Sequence, residues 1–354
     1  MARFIKTLKK TALAASIASL ATVANATIVT SIKPLGFIAS SIADGVTDTE
    51  VLVPAGASPH DYSLKPSDIQ KLQGAELILW VGEDIDAFLD KTLRPMPFKK
   101  VLSIADFAEI GGLLEGEAHD HKHEHDHTHK HDHDHKHEHD HKHDHAHKHE
   151  HDHKHDHAHK HEHDHKHDHE HKHDHAHGHD HDHSTNWHVW YSPEISKIVA
   201  TRLATRLTEA YPEKKEKIAQ NLAEFNRTLA EQSEKIKQQL APVKEKGFYV
   251  FHDAYSYFNN AYGLKQTGYF TINPLVAPGA KTLAKIKQEI KEHKVNCLFA
   301  EPQFTPKVIE SLSKGTGVHV GRLDPMGDAV KLGVNSYANF LQYTADSYFA
   351  CLSK

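Results

Sequence analysis

Five histidines stand apart from the rest: His60, His188, His252, His293 and His319. Imidazole nitrogen is a good donor to zinc, copper and nickel. Three of the five sit where a chain turns. His60 follows the breaker Pro54-Ala55-Gly56-Ala57-Ser58-Pro59. His188 lies between Trp187 and Trp190, just before Ser192-Pro193-Glu194. His252 closes the apolar run 247–251 and is followed by Asp253. Three imidazoles from separate segments make a three-nitrogen site, and Zn²⁺ commonly takes three His with oxygen or water in the fourth position. Asp324, at the end of the run 318–323 and before Pro325, is a candidate fourth ligand or a hydrogen-bonding organiser of the site. His293, in Lys291-Glu292-His293-Lys294, reads as part of a solvated helical face. His319, between Val318 and Val320, reads as a surface or locally satisfied residue.

The other 33 histidines occupy every odd position from 119 to 183. The even positions are mostly Asp, Lys and Glu, and a twelve-residue unit at 141–152 repeats identically at 153–164. Period-2 alternation suits a strand only if one face is apolar. Neither face is, so the tract is expected to be a disordered insertion with an r.m.s. span of about 45 Å. It should gather many transition-metal ions weakly, because ordering the chain opposes binding. Its low complexity singles out no individual ligand. A solubilising loop with incidental metal affinity is the alternative.

Alternating strand and helix signals surround these residues. Strands are expected at 27–32, 51–53 and 76–81, with helices at 37–43 and 67–73, the latter with Ser67 as N-cap and Gly74 as stop. Ser192-Pro193-Glu194 has the form of a helix start. A long helix over roughly 213–240 carries the stripe Ile218, Leu222, Phe225, Leu229, Ile236 and Leu240. Strands at 247–251, 295–300 and 318–323 and helices at 281–292 and after Thr305-Pro306 repeat the rhythm. The expected fold is α/β: two lobes with largely parallel sheets and a long helix between or beside them. In open α/β sheets ligands collect outside the carboxyl ends of strands, which is where His252 would lie.

The first 26 residues read as an export leader: basic Arg3, Lys6, Lys9 and Lys10, an apolar stretch 11–23, and Ala24-Asn25-Ala26 at the cleavage point. The mature chain is then expected to be soluble and extracytoplasmic. Of the formal charge of −6, the leader carries +4 and the tract −9, leaving the remainder near −1. That balance gives no reason to expect a nucleic-acid partner. There are two cysteines, Cys297 and Cys351. An even count in an oxidising compartment favours one disulfide, tying the last helix to a buried strand. A two-Cys metal site is the weaker rival.

Gly56-Ala57-Ser58-Pro59-His60-Asp61-Tyr62, His188-Val189-Trp190-Tyr191-Ser192-Pro193, Phe251-His252-Asp253-Ala254-Tyr255 and Phe299-Ala300-Glu301-Pro302-Gln303-Phe304 together resemble the ZnuA family, periplasmic zinc-binding proteins of ABC importers. The resemblance spans essentially the mature chain outside the tract, and the His-rich insertion itself is similar. It implies zinc in a cleft between two lobes, held by His60, His188 and His252. It also implies paired Cys297 and Cys351, and as partners an inner-membrane ABC permease and its ATPase, with the chain acting as a monomer. The implied division is a leader 1–26, an N-terminal lobe 27–212 containing the insertion 118–185, a linking helix 213–240 and a C-terminal lobe 241–354. Manganese-carrying relatives have Glu in place of His252, in keeping with a nitrogen-rich zinc site. Some zinc members place Glu directly before the first ligand. Here that residue is Pro59, so water or Asp324 is left for the fourth position. Glu301 matches a family motif, but its residue type alone gives it no ligand role.

Two other function classes fit parts of this pattern. Three His with an open position also describe hydrolytic zinc. No His-Glu-x-x-His occurs, and Asp253, Glu301 and Asp324 are bases by type only. A periplasmic metal buffer, with the tract as its active part, is the other.

Overall fold

The computed structural model describes residues 27–116, 185–303 and 307–354. The expected leader, the His tract and the Thr305-Pro306 helix start lie outside the described residues.

Two four-stranded, all-parallel sheets organise the chain. The first comprises β1 (Thr27–Thr30), β2 (Asp48–Val51), β3 (Leu77–Trp80) and β4 (Val101–Ser103), in the order β2-β1-β3-β4. A two-stranded ladder, β5 (Glu115–Gly116) with β6 (Thr185–Asn186), brackets the tract. The second sheet comprises β7 (Phe248–His252), β8 (Gln266–Thr271), β9 (Cys297–Ala300) and β10 (His319–Arg322). Its order, β8-β7-β9-β10, repeats the first: the leading strand is central, the next lies to one side, and the last two lie to the other. Each sheet therefore reverses its winding beside its first strand, and a crevice opens there at the strands' carboxyl ends.

The central strands are apolar on both faces because helices cover both. Leu77 and Leu79 enter one core and Ile78 and Trp80 another. Phe248 and Val250 likewise join the large core, while Tyr249 and Phe251 face a separate one. The crossovers are helical: α1 (Lys33–Ile42), α2 (Pro66–Gly74) and α3 (Glu83–Leu93) in the first half. After α4 (Pro193–Ala210) and α5 (Lys215–Leu240) come α6 (Ser256–Tyr262), α7 (Ala280–Lys291), α8 (Lys307–Thr316) and α9 (Ser336–Leu352). Helix α5, about 39 Å long at 1.5 Å per residue, buries Ile218, Phe225, Leu229, Ile236 and Leu240. It packs against α4, α9 and α1. None of the described helices is long and apolar enough to cross a membrane.

Several local expectations shift. Ser67 does not cap α2. The helix begins at Pro66, and Asp68 accepts the Lys65 N–H at 2.9 Å and the Tyr62 hydroxyl at 2.8 Å. An aspartate in the third helical position reaches back to the free N–H better than a serine inside the first turn. The second strand pairs over 48–51 rather than 51–53, since its partner Thr27–Thr30 sets the register. His293 is not within a helix. It lies past the end of α7 with φ 57°. There the Lys294 N–H reaches Glu289 O and the His293 N–H reaches Ile290 O, which closes the helix end. It is exposed, as is His319.

Cys297 at the start of β9 is disulfide-bonded to Cys351 in α9. The bridge pins the C-terminal helix to a central strand and closes a loop worth about 2–4 kcal/mol.

Candidate metal centre

His252 is the last residue of β7, at the carboxyl end of the second sheet's central strand. His188 directly precedes the short 3₁₀ turn Val189–Tyr191, after which the Ser192 hydroxyl caps α4 by accepting the Ile195 N–H at 3.2 Å. His60 lies in the turns that follow β2, where Ser58 Oγ accepts its N–H at 3.3 Å. The three rings converge. Their centroids are 5.1 Å apart for His188–His252, 5.6 Å for His60–His188 and 5.7 Å for His60–His252. One ligand atom from each lies within 4.8 Å of the others, the only such group of three among the described residues.

Two rings are aimed by their outer nitrogens. Glu301, itself buried, holds His252 Nδ1 at 2.7 and 2.8 Å and also accepts the Tyr255 hydroxyl at 3.0 Å. An ionised carboxylate only accepts, so Nδ1 carries the hydrogen and Nε2 the lone pair. Asn186 does the same for His188. Its Oδ1 already accepts the His188 backbone N–H at 3.1 Å and sits 2.7 Å from Nδ1. Its Nδ2 donates to Asp253 O at 2.9 Å and to Ser256 Oγ at 3.2 Å, tying the His188 segment to the end of β7. The two Nε2 atoms then face each other at 3.3 Å. Two ligands on one tetrahedral Zn²⁺, with Zn–N of about 2.0–2.1 Å, stand about 3.3–3.4 Å apart. Lone pairs pointed at each other at that distance are a repulsive arrangement unless a cation sits between them.

Burial keeps the His60 and His188 rings neutral. It lowers the pKa of His60 to about 4, helped by the nearby His252. It holds His188 well below the usual imidazole range, with His252 and His60 adding to the effect. Deprotonated nitrogen is the form that binds metal.

Asp324 is not brought into the three-His group. Its Oδ1 accepts Gln303 Nε2 at 2.9 Å and the Met326 N–H at 3.0 Å, and its Oδ2 the Asp328 N–H at 2.7 Å. This turn needs a glycine. Gly327 has φ 63°, and a Cβ there would lie 2.6 Å from the Phe340 ring. Asp328 Oδ2 in turn accepts the Gly56 N–H at 2.7 Å, and Lys33 Nζ donates to Asp328 O at 2.7 Å. The loop carrying His60 is thereby tied to the loop after β10. Pro59, Trp190, Glu301, Gln303, Pro325 and Met326 help to wall the pocket around the three imidazoles. Asn186, Glu301 and Gln303 carry no ligand signal in sequence. Only the two-residue spacing of Asn186 from His188 hints at a local hydrogen bond.

The zinc-uptake complex component A periplasmic (ZnuA) family model matches residues 28–351. The high-affinity zinc uptake system protein ZnuA of Haemophilus influenzae is 66% identical over 349 residues, covering 99% of each chain. Its namesake from Haemophilus ducreyi is 52% identical, covering 98% of this chain and 99% of the relative. The periplasmic zinc binding protein TroA of Treponema pallidum superposes with a TM-score of 0.65 over 93% of this chain and 100% of its own. At 15% identity, that likeness concerns the fold alone. On the family match and these identities, the chain belongs to the ZnuA family of periplasmic zinc-uptake components.

Proposed function

We propose that this chain captures one Zn²⁺ in the periplasm through Nε2 of His188 and His252 and a ring nitrogen of His60. It then hands the ion to an inner-membrane ABC permease driven by its ATPase, acting as a monomer. The single observation that carries the reading is the 3.3 Å separation of two lone-pair nitrogens, each aimed by a buried acceptor on Nδ1. The carboxylates that could serve a hydrolase as base are already engaged. Glu301 holds His252 and Tyr255, Asp324 holds Gln303 and two backbone N–H groups, and Asp253 Oδ1 accepts Gln266 Nε2 at 3.1 Å. Residues 1–26 serve as the cleaved leader. Residues 27–212 and 241–354 form two lobes joined by the helix 213–240, with zinc in the cleft. The fourth position falls to water or Asp324. The His tract gathers zinc weakly for the site.

Zinc titration under chelator competition tests this directly. Alanine at His60, His188 or His252 should each lower affinity by orders of magnitude. Native-like affinity in all three variants would overturn the reading.

A further inference from the structure

One polar atom of a pocket-lining side chain has no partner among the described residues. Gln303 lies two residues beyond Glu301 and lines the pocket with His60, His188 and His252. Its Nε2 donates to Asp324 Oδ1 at 2.9 Å. The two Asp324 oxygens also take the backbone N–H groups of Met326 and Asp328, so the aspartate presents acceptors only. The amide nitrogen must therefore face Asp324, and the amide oxygen is turned away from it. That oxygen, Oε1, is buried and has no hydrogen-bond partner among the described residues. The other side-chain oxygens of the wall are occupied: Ser58 Oγ by the His60 N–H and Glu301 by His252.

We propose that Gln303 Oε1 accepts a hydrogen bond from a water molecule that completes the coordination of the bound Zn²⁺. This inference rests on the three-His reading of the site. Three nitrogens leave one tetrahedral position to fill. Pro59 has no donor to offer it, and the Asp324 carboxylate is held by three other groups. A metal-bound water has two polarised hydrogens, and Gln303 supplies a buried acceptor already oriented by Asp324. The acceptor is neutral, so it positions the water without adding a negative charge to the ion. A carried ion must be released again, and a neutral support holds it less tenaciously than a coordinating carboxylate.

The test uses the full mature chain with Zn²⁺. Its crystal structure should show a zinc-bound water within about 2.6–3.0 Å of Gln303 Oε1. Gln303→Met conserves volume but removes the Oε1 acceptor together with the Nε2 donor to Asp324. It should weaken zinc binding about 10–100-fold under chelator competition and alter the visible spectrum of chelator-buffered Co²⁺ in the tight site. The thermal midpoint of the zinc-free protein should fall only by what loss of the Gln303 Nε2–Asp324 hydrogen bond accounts for. A carboxylate in the fourth position, no water at Oε1, or a variant with unchanged affinity and spectrum would overturn the proposal. Should the variant not fold, the native crystal structure decides alone. Failure of the three-His reading is a separate result, seen as undiminished zinc affinity in His60→Ala, His188→Ala and His252→Ala alike.

Discussion

Glu301 grips His252 Nδ1 with both carboxylate oxygens, at 2.7 and 2.8 Å, inside a region where both side chains are almost fully buried. The contact fixes the ring's tautomer and direction, and the carboxylate's charge makes Nε2 a stronger donor. Replacing Glu301 with Gln keeps the shape but removes the charge and allows the amide to turn its NH₂ toward the ring. Zinc affinity should fall about 10–100-fold, as measured by chelator competition. An affinity within twofold of native would show that the contact does not tune the ligand.

The low pKa values of His60 and His188 set the acid sensitivity of capture. Neither ring competes for protons in the range where a free imidazole, with pKa about 6.5, begins to do so. Between pH 7 and pH 5, the fall in zinc affinity should therefore be no steeper than one proton per ion. A slope of two or more, read from dissociation constants across that range, contradicts this picture.

Stability of the zinc-free protein should respond to two opposing groups. A His whose pKa is lowered on folding takes up protons in the unfolded chain first. Its contribution is intact above about pH 6.5 and is lost as pH falls toward about 4 for His60. Asp86 acts in the opposite sense. It is fully buried in α3, with Oδ2 accepting from Ser31 Oγ at 2.7 Å and the Val81 N–H at 2.9 Å, and burial raises its pKa to about 7. Its contribution is present at low pH and lost as pH rises through about 7. Asp86→Asn should leave the histidines unopposed and make the acid-side fall in thermal midpoint steeper. A profile as flat as that of the native chain would refute the assignment.

Asp328 Oδ2 accepts the Gly56 N–H at 2.7 Å, and so ties the His60 loop to the loop after β10. Asp328→Ala should raise the rate of zinc release to excess chelator about tenfold, in line with loss of one charge-assisted hydrogen bond worth about 1.5 kcal/mol. Asp328→Asn keeps an acceptor and should recover most of the native rate. Equal release rates in all three proteins would mean that the loop is held by other contacts.

Deleting 119–183 should lower the number of weakly bound zinc ions and leave one tight equivalent, counted by equilibrium titration. Loss of the tight equivalent would place the site in the tract rather than in the folded body.

The sequence by itself determined the strand and helix rhythm, because two-sided burial writes runs such as Leu77–Trp80 as continuous apolar segments. It also favoured the disulfide, because only two cysteines exist to pair, and the structure shows them bonded. It marked His60, His188 and His252 as candidates, because each sits at a break between elements. It could not show that the three rings meet, since they lie on segments up to 192 positions apart and only the packing of the two sheets brings them together. Nor could it assign Glu301, Asn186 or Gln303. A hydrogen bond that selects which imidazole nitrogen is free depends on ångström-scale placement across the fold, and composition carries no trace of that. Asp324 illustrates the limit most sharply. Its type and position allowed it to be a ligand, and only the tertiary structure revealed the three donors that already hold its carboxylate.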